Sequence, residues 1–307
     1  MWIVLSLFAA FIYGLYDTSK KAALRGNAVL PVLLLNTIFC SLILLIPLLL
    51  SGNGGGSILE GTPFLVARGG WHEHKYILLK SFIVLSSWIS GYFAYKNLPL
   101  SIVGPVNATR PVMVLLGAMI VFGERLNLYQ WTGALLAILS FYLLSRTSRK
   151  EGIDFRHDRW MVLLILSAVM GAVSGLYDRY LMAPPESGGV GLDKMMVLCW
   201  YNIYQVGIML IVLLAMWYPT RKKTTPFQWR WSTLLISIFL VAGDFLYMYA
   251  LSFPDSKVSV VSMVKRSSVI VSFTFAALVF KEKNLRDKAL DLLLVLLGMV
   301  FLYLGSR

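Results

Sequence analysis

Ten apolar runs, each long enough to cross a bilayer, constrain this chain more than any other feature. Polar or Gly/Pro-containing breaks separate runs of about 20 to 26 residues, the length that an α-helix needs to span the hydrocarbon core. Because lipid cannot satisfy backbone N–H and C=O groups, these runs must be helical. The predicted spans are 2–24, 29–50, 76–97, 100–122, 127–146, 159–182, 192–217, 229–251, 257–280 and 285–304. The sequence therefore predicts an all-α membrane protein.

The composition supports that class. Hydrophobic residues make up 58% of the chain and charged residues 14%, with a mean hydropathy of +0.73. The formal net charge is +13, but the basic residues lie mainly in the short connections, where they orient helices against the membrane. We interpret the charge as topological and expect no nucleic-acid partner.

Cofactor and metal chemistry have little support in the sequence. Cys40 and Cys199 each lie inside an apolar run without paired spacing, which is typical of small core residues. His72-Glu73-His74 is a weak metal motif that we expect in a solvated loop. No phosphate-binding glycine loop or catalytic Ser/His spacing is present, so we expect no cofactor, no metal and no enzymatic activity.

The chain also repeats itself. Residues 14–17 (Gly-Leu-Tyr-Asp) recur at 175–178, and an offset of 158 residues places Val-Phe-Gly-Glu at 121–124 on Val-Phe-Lys-Glu at 279–282. The same offset superposes Ser101, Gly104, Asn107 and Arg110 on Ser259, Ser262, Lys265 and Ser268. We divide the chain into a first half (1–146), a charged linker (147–158) and a second half (159–307).

Each half holds five spans, so the second half enters the membrane in the opposite sense. Ten transmembrane helices arranged as two inverted five-helix repeats are typical of secondary transporters, whose substrate site lies near the midplane. Lys and Arg are concentrated after spans one, five, seven and nine. This distribution predicts that both termini lie outside the cytoplasm.

Lys265 and Arg266 are adjacent cations inside a membrane-length run. Inserting these two cations into the membrane without a counter-ion would cost about 5 to 7 kcal/mol, so we expect an anionic group or a water-filled cavity beside them. Lys265 lies on the polar stripe and Arg266 to its side, and either could instead pair with a carboxylate and fix helix packing. Asn107 and Arg110, on the repeat-related helix, are further candidates for substrate binding.

The acidic residues at membrane depth are Asp17, Asp178 and Asp244. Intramembrane carboxylates are candidates for proton coupling or for counter-ions to Lys and Arg. Asp17 and Asp178 lie near helix ends, where a solvated role is an equal alternative, whereas Asp244 is also a candidate substrate ligand. Aromatic and amide side chains that could line the same cavity are Tyr13, Trp88, Tyr201, Asn202 and Tyr247.

Residues 97–101 with Pro111, the segment 121–126 and the segment 131–134 (Trp-Thr-Gly-Ala) resemble the repeat of EamA-type transporters of the drug/metabolite transporter superfamily. The second half diverges, with Lys281-Glu282-Lys283 where the family commonly has Gly-Glu. The resemblance implies a bacterial inner-membrane or organellar transporter of small metabolites, with both termini cytoplasmic. The last implication conflicts with the charge distribution.

Lys265-Arg266 followed by 267–271 is also similar to the ninth helix of the triose-phosphate and nucleotide-sugar branch, whose cations hold a phosphate. That branch has a lysine four residues before a proline on its fourth helix. Here Asn107 stands at that position before Pro111, and Arg110 supplies a cation directly before the proline instead.

These observations predict a secondary transporter that moves a small anionic or zwitterionic metabolite by alternating access. We expect the protein to be embedded in the lipid bilayer and to couple transport to protons or to a counter-substrate. The alternatives are an exporter of amphipathic or cationic compounds and an intramembrane enzyme acting on lipid-linked groups. The expected location is the bacterial inner membrane, as a monomer or a homodimer.

Overall fold

A computed structural model describes residues 2–52, 59–122, 126–149, 157–251, 264–282 and 285–305. Within these residues the structure is helical and contains no strand. The α-helices are α1 (Trp2–Leu24), α2 (Val29–Gly52), α3 (Trp71–Asn97), α4 (Leu100–Ala108), α5 (Arg110–Phe122), α6 (Leu128–Arg149), α7 (Arg159–Met182), α8 (Lys194–Val212), α9 (Trp231–Leu251), α10 (Ser268–Leu278) and α11 (Leu285–Gly305). The predicted all-α class is confirmed.

The lengths of these helices fit a bilayer. Eight helical segments among the described residues are long and apolar enough to span a membrane, and α9 contains a shorter apolar segment, Trp231–Tyr247. The predicted span 257–280 begins outside the described residues. Its described part is a helical turn at 264–266 followed by α10.

Helix packing follows an approximate two-fold relation between the halves. α1 packs on α9, and its repeat counterpart α7 packs on α3. In the same way, α1 packs on α10 while α7 packs on α5. Two further contacts join counterparts directly, namely α2 with α8 and α6 with α11, and α4 packs on α10, the counterpart of α5. An inverted repeat produces this pattern, because a contact between two helices recurs between their repeat counterparts.

Both halves interrupt a helix at the same repeat position. Thr109 separates α4 from α5, and its hydroxyl donates to the Val106 carbonyl at 2.7 Å. Ser267 precedes α10, and its hydroxyl donates to the Val264 carbonyl at 2.6 Å. A hydroxyl that bonds three residues back competes with the helical ladder and tightens the turn. The repeat therefore extends to individual hydrogen bonds.

The second half caps a helix of the first. The Glu282 carboxylate accepts hydrogen bonds from the backbone N–H groups of Leu100 and Ser101, at 2.6 and 2.9 Å. The first N–H groups of a helix have no partner within that helix, and a carboxylate is a strong acceptor for them. Glu124, the repeat counterpart, lies outside the described residues.

Hydrogen bonds between the halves also close one end of the molecule, where α1 ends and α9 begins. The Asn27 side chain donates to the Gln228 carbonyl at 2.7 Å and accepts from the Gln228 N–H at 2.8 Å. Arg230 donates to the Ala22 carbonyl at 3.0 Å. Asn27 is fully buried, so its side chain is shielded from water within this contact.

Three predicted features differ from the structure. The third span begins at Trp71 rather than 76, because Glu73 accepts from the Gly70 N–H at 2.7 Å and caps the helix. The His72-Glu73-His74 segment is consequently the first turn of α3 and not a loop, with His74 bonded to the Tyr204 hydroxyl at 2.8 Å. The predicted continuous span 100–122 is two helices.

Candidate functional site

A polar cavity of about 250 Å³ lies between the halves, at the level of the two helix breaks. Its volume is that of about eight water molecules in the liquid, which suits a small solute. Its polar and aromatic lining comes from both halves and consists of Tyr13, Tyr16, Asp17, Lys20, Lys80, Ser87, Trp88, Tyr92, Tyr95, Asn107, Arg110, Ser167, Ser174, Asp178, Tyr201, Asp244, Lys265, Arg266 and Ser268.

Lys20 is held by groups of the first half. Its ammonium lies 3.0 Å from Asp17, one helical turn earlier, and the Tyr95 hydroxyl donates to the same carboxylate at 2.7 Å. The ammonium also lies over the rings of Tyr95 and Tyr16, 3.7 and 4.2 Å from the ring centroids. Its side chain is only 7% exposed. This lysine is satisfied within the protein and has little capacity left for a solute.

Lys80 is paired across the two halves. It forms an ion pair with Asp178, the repeat counterpart of Asp17, and lies 5.1 Å from the Tyr201 ring centroid. The Lys80 side chain is 6% exposed and that of Asp178 is 35% exposed. The two repeat-related aspartates thus each hold a buried lysine, one on α1 and one on α3.

Lys265 is also paired, but more loosely. Its ammonium lies 3.5 Å from Asp244 and 4.1 Å from the ring centroids of both Tyr13 and Tyr247. Direct ammonium–carboxylate hydrogen bonds are usually 2.7–2.9 Å long. The Tyr13 hydroxyl donates to the same carboxylate, so Asp244 joins α1, α9 and the segment before α10.

Arg110 and Arg266 differ from the three lysines. Within the described part of the chain, neither guanidinium has a carboxylate within 4.0 Å. Arg110 donates only weakly, to the Ser167 hydroxyl at 3.2 Å and the Ser167 carbonyl at 3.4 Å, and its buried Nε has no partner among the described residues. Gly171 lets it pack on α7, because a Cβ there would meet its Cζ at 2.8 Å.

The cavity consequently carries an excess of positive charge at a defined place. Its lining holds five basic and three acidic side chains, and the three acids are each paired with a lysine. The remaining charge lies on the two guanidiniums beside the helix breaks. A guanidinium presents a planar set of donors that matches a carboxylate or a phosphate.

Most of the predicted site residues lie together in this cavity. Those that line it are Tyr13, Asp17, Trp88, Asn107, Arg110, Asp178, Tyr201, Asp244, Lys265 and Arg266. Tyr247 reaches it indirectly, through its ring contact with Lys265. Asn202 is buried in α8 and donates to the Leu198 carbonyl at 2.8 Å, away from the lining. The stripe positions Ser259 and Ser262 lie outside the described residues.

Sequence reasoning missed several lining residues, notably Lys20, Lys80, Tyr95 and Ser167. Lys80 carried a signal, because a lysine in an apolar span needs a partner. Lys20 also carried one, since it follows Asp17 at the spacing of a helical ion pair. Tyr95 and Ser167 carried none, because their roles depend on which helices become neighbours.

A second cavity, of about 470 Å³, lies on the other side of α9. Its lining is apolar and consists of Ile43, Leu44, Ile46, Pro47, Leu50, Leu59, Phe64, Met195, Leu198, Ile238, Val241, Ala242 and Phe245. Phe64 stacks on Phe245 with ring centroids 4.5 Å apart.

No group of three or more His, Cys, Asp or Glu side chains in the described ranges is arranged to hold a metal.

The fold and the cavity define an integral, multi-pass membrane transporter built from two inverted halves. The chain belongs to the EamA-like transporter family, whose model matches it over residues 1–146 and again over 158–304. This match confirms the predicted family, the two-repeat fold and the drug/metabolite transporter superfamily. Members of the family are transporters rather than enzymes.

Comparison with solved structures supports the fold. One protein crystal structure aligns with 100% of this chain and 99% of its own, with a TM-score of 0.61 and 14% sequence identity. At that identity the likeness concerns the fold alone. A comparison with curated proteins finds no match to this chain.

Proposed function

We propose that this protein is a secondary transporter that moves a small anionic or zwitterionic metabolite by alternating access. The observation that carries the proposal is the pair of guanidiniums, Arg110 and Arg266, which face the cavity without a carboxylate partner among the described residues. A buried cation without a counter-ion is costly. A solute carboxylate or phosphate would supply the missing charge.

The rest of the lining suits the organic part of such a solute. Tyr13, Trp88 and Tyr201 offer aromatic faces, and Ser87 and Ser174 offer hydroxyls. A cavity of about 250 Å³ limits the solute to a small metabolite. Carboxylates in the lining are paired with lysines, so a cationic solute would have to break an ion pair to bind.

Alternating access would use the contacts between the halves. α4 crosses α10 closely, because a Cβ at Gly104 would meet the Val269 side chain at 2.8 Å. The closed end is held by a few hydrogen bonds, such as that between Asn27 and Gln228. Breaking these bonds while the other end closes would expose the cavity to the opposite side.

A binding screen followed by transport tests the proposal. We expect thermal-shift measurements on the purified protein to select solutes with a carboxylate or a phosphate from a panel of acids, amino acids, phosphorylated metabolites, amines and neutral sugars. In proteoliposomes, Arg110→Gln and Arg266→Gln should each lower uptake of the selected solute about 10- to 100-fold. This is the loss expected from removing a charged hydrogen bond of about 1.5 to 3 kcal/mol.

The matched control is Arg221→Gln, which makes the same change at an exposed arginine outside the cavity. It should leave uptake unchanged. Selection of an amine or a neutral sugar, or full transport by both cavity variants, would contradict the proposal.

A second candidate function is the export of amphipathic compounds, and the apolar cavity beside α9 favours it. That cavity could hold an alkyl chain or an aromatic body. Ala242→Trp should fill it. Loss of transport in this variant, with unchanged transport in Arg110→Gln and Arg266→Gln, would favour the second candidate over the first.

We further propose a bacterial inner-membrane location, because short connections rich in Lys and Arg are the usual orientation signal of such proteins. Fractionation of expressing cells would test this. Recovery in another membrane would contradict it.

A further inference from the structure

Asp244 differs from the other cavity carboxylates in how it is held. Its cation, the Lys265 ammonium, is 3.5 Å away, whereas that of Asp17 is at 3.0 Å. Its other partner, the Tyr13 hydroxyl, is a neutral donor. Its side chain is 19% exposed, which is close to the 20% of Asp17 and below the 35% of Asp178. Asp244 therefore combines the loosest ion pair of the cavity with limited access to water.

Among the charged and titratable groups around Asp244, Lys265 is the cation that balances the charge of its carboxylate. The facing groups are Tyr13 and Tyr16 on α1, Cys40 on α2, Tyr201 on α8, Tyr247 on α9, and Lys265 and Arg266 before α10. The tyrosines and the cysteine are uncharged near neutral pH. Of the two cations, only Lys265 lies within ion-pair distance among the described residues.

An anionic solute would compete for that lysine. Lys265 and Arg266 line the same cavity, so an anion held by Arg266 in that cavity would be accessible to the Lys265 ammonium. A lysine side chain is a flexible stem that can move its charge toward a new partner. Once it moves, Asp244 is left as a shielded carboxylate with no cation within ion-pair distance among the described residues, which is unfavourable by several kcal/mol unless the charge is removed.

We propose that Asp244 is a proton-binding site, loaded when an anionic solute takes the Lys265 ammonium from it. One ion pair, Lys265 with Asp244, is replaced by another, Lys265 with the solute, and one proton from the solution converts the carboxylate to the acid. For each negative charge bound in this way the cavity gains one positive charge as a proton. The transport role of the site rests on the proposed function and makes the protein a proton–anion symporter.

Infrared spectroscopy can test the site without any transported solute. In protein carrying ¹³C-labelled aspartate, Lys265→Met removes the ammonium permanently and mimics its capture. At pH 7 we expect this variant to show the carbonyl band of one protonated aspartate that the unaltered protein lacks. The band should disappear in the double variant Lys265→Met, Asp244→Asn.

Lys80→Met is the matched control. It removes the lysine partner of Asp178, but that carboxylate is the more exposed of the two, and water should keep it ionised, so no band should appear. If Lys265→Met does not fold, acid titration of the unaltered protein replaces it, with a band expected that Asp244→Asn removes.

The proposal is overturned if Lys265→Met shows no protonated aspartate at pH 7, or if the band survives Asp244→Asn. In the acid titration, a band that Asp244→Asn leaves intact overturns it equally. Because these measurements require no transport, a negative result removes the proton site and leaves the anion carrier standing. Selection of a cationic solute in the binding screen would remove the carrier and leave the proton site.

Discussion

At the scale of single residues, the cavity separates lysine from arginine. Lys20, Lys80 and Lys265 each have a carboxylate partner, and each lies near at least one aromatic ring. Arg110 and Arg266 have neither a described carboxylate within 4.0 Å nor a described ring contact. A compact ammonium can be enclosed by one carboxylate and ring faces, whereas the broad guanidinium keeps donors free. This difference supports the proposal that the arginines bind the solute.

The contribution of a buried ion pair to stability can be measured by removing one of its members. Asp17→Ala should lower the free energy of unfolding by about 3 to 5 kcal/mol, because it leaves the Lys20 ammonium buried without a counter-ion. Adding Lys20→Met should recover much of that loss, since no charge then remains. Denaturant unfolding in detergent micelles, followed by circular dichroism, measures both. Equal stability of Asp17→Ala and the unaltered protein would show that the pair contributes nothing.

At the scale of helices, the interruptions at Thr109 and Ser267 lie next to the proposed substrate-binding side chains. Arg110 begins α5, directly after the first break, and Lys265 and Arg266 directly precede the second. Pro111 fits the first turn of α5, where its missing N–H is not needed. Cations therefore flank equivalent breaks in the two halves, and all three line the same cavity.

The Glu282 carboxylate, which caps α4 from the other half, gives a test at this scale. Glu282→Ala should lower the unfolding free energy by about 1 to 3 kcal/mol, because two N–H groups lose a charged acceptor. Glu282→Gln should lose less, since an amide oxygen still accepts. Thermal unfolding of the purified variants measures the effect.

Glu186→Ala is the control for this prediction. Glu186 is exposed on the short 3₁₀-helix Pro185–Ser187, and its removal should change stability by less than about 0.5 kcal/mol. A loss of the same size in both alanine variants would contradict the capping role of Glu282.

At the scale of the whole molecule, the inverted repeat gives the transporter two similar ends. Asp17 and Asp178 are repeat counterparts on α1 and α7, and each pairs with a buried lysine. The connections at the end where α1 finishes carry most of the basic residues, including 221–223 and Arg230. By the rule that positive loops stay in the cytoplasm, we predict that this end faces inward and that both termini face outward.

Cysteine labelling tests that orientation. Cys40 and Cys199 are buried at 1% and 0% exposure, so single introduced cysteines should dominate the reaction. In intact expressing cells, a membrane-impermeant maleimide should label Glu186→Cys but not Lys222→Cys. Permeabilised cells should show labelling of both. The reverse pattern in intact cells would place both termini in the cytoplasm.

Much of this architecture could be predicted from local properties of the sequence. The length and hydropathy of the runs determine that they are membrane helices, since lipid permits no other spanning backbone for such segments. Five spans in each half determine the inversion. The repeated residues 121–124 and 279–282, with the polar stripes, locate spans four and nine and their cations.

The partners of Lys80 and Lys265 were decided by tertiary structure alone, whereas Lys20 pairs with Asp17 on its own helix. Lys80 and Asp178 are 98 residues apart and meet only because α3 packs on α7. The sequence favoured Lys265 over Arg266 as the cavity cation, yet both line the cavity, and it is Lys265 that already has a carboxylate. Hydropathy depends on a residue and its neighbours along the chain, whereas the strength of an ion pair depends on distance and shielding from water. Those quantities exist only once the helices are packed.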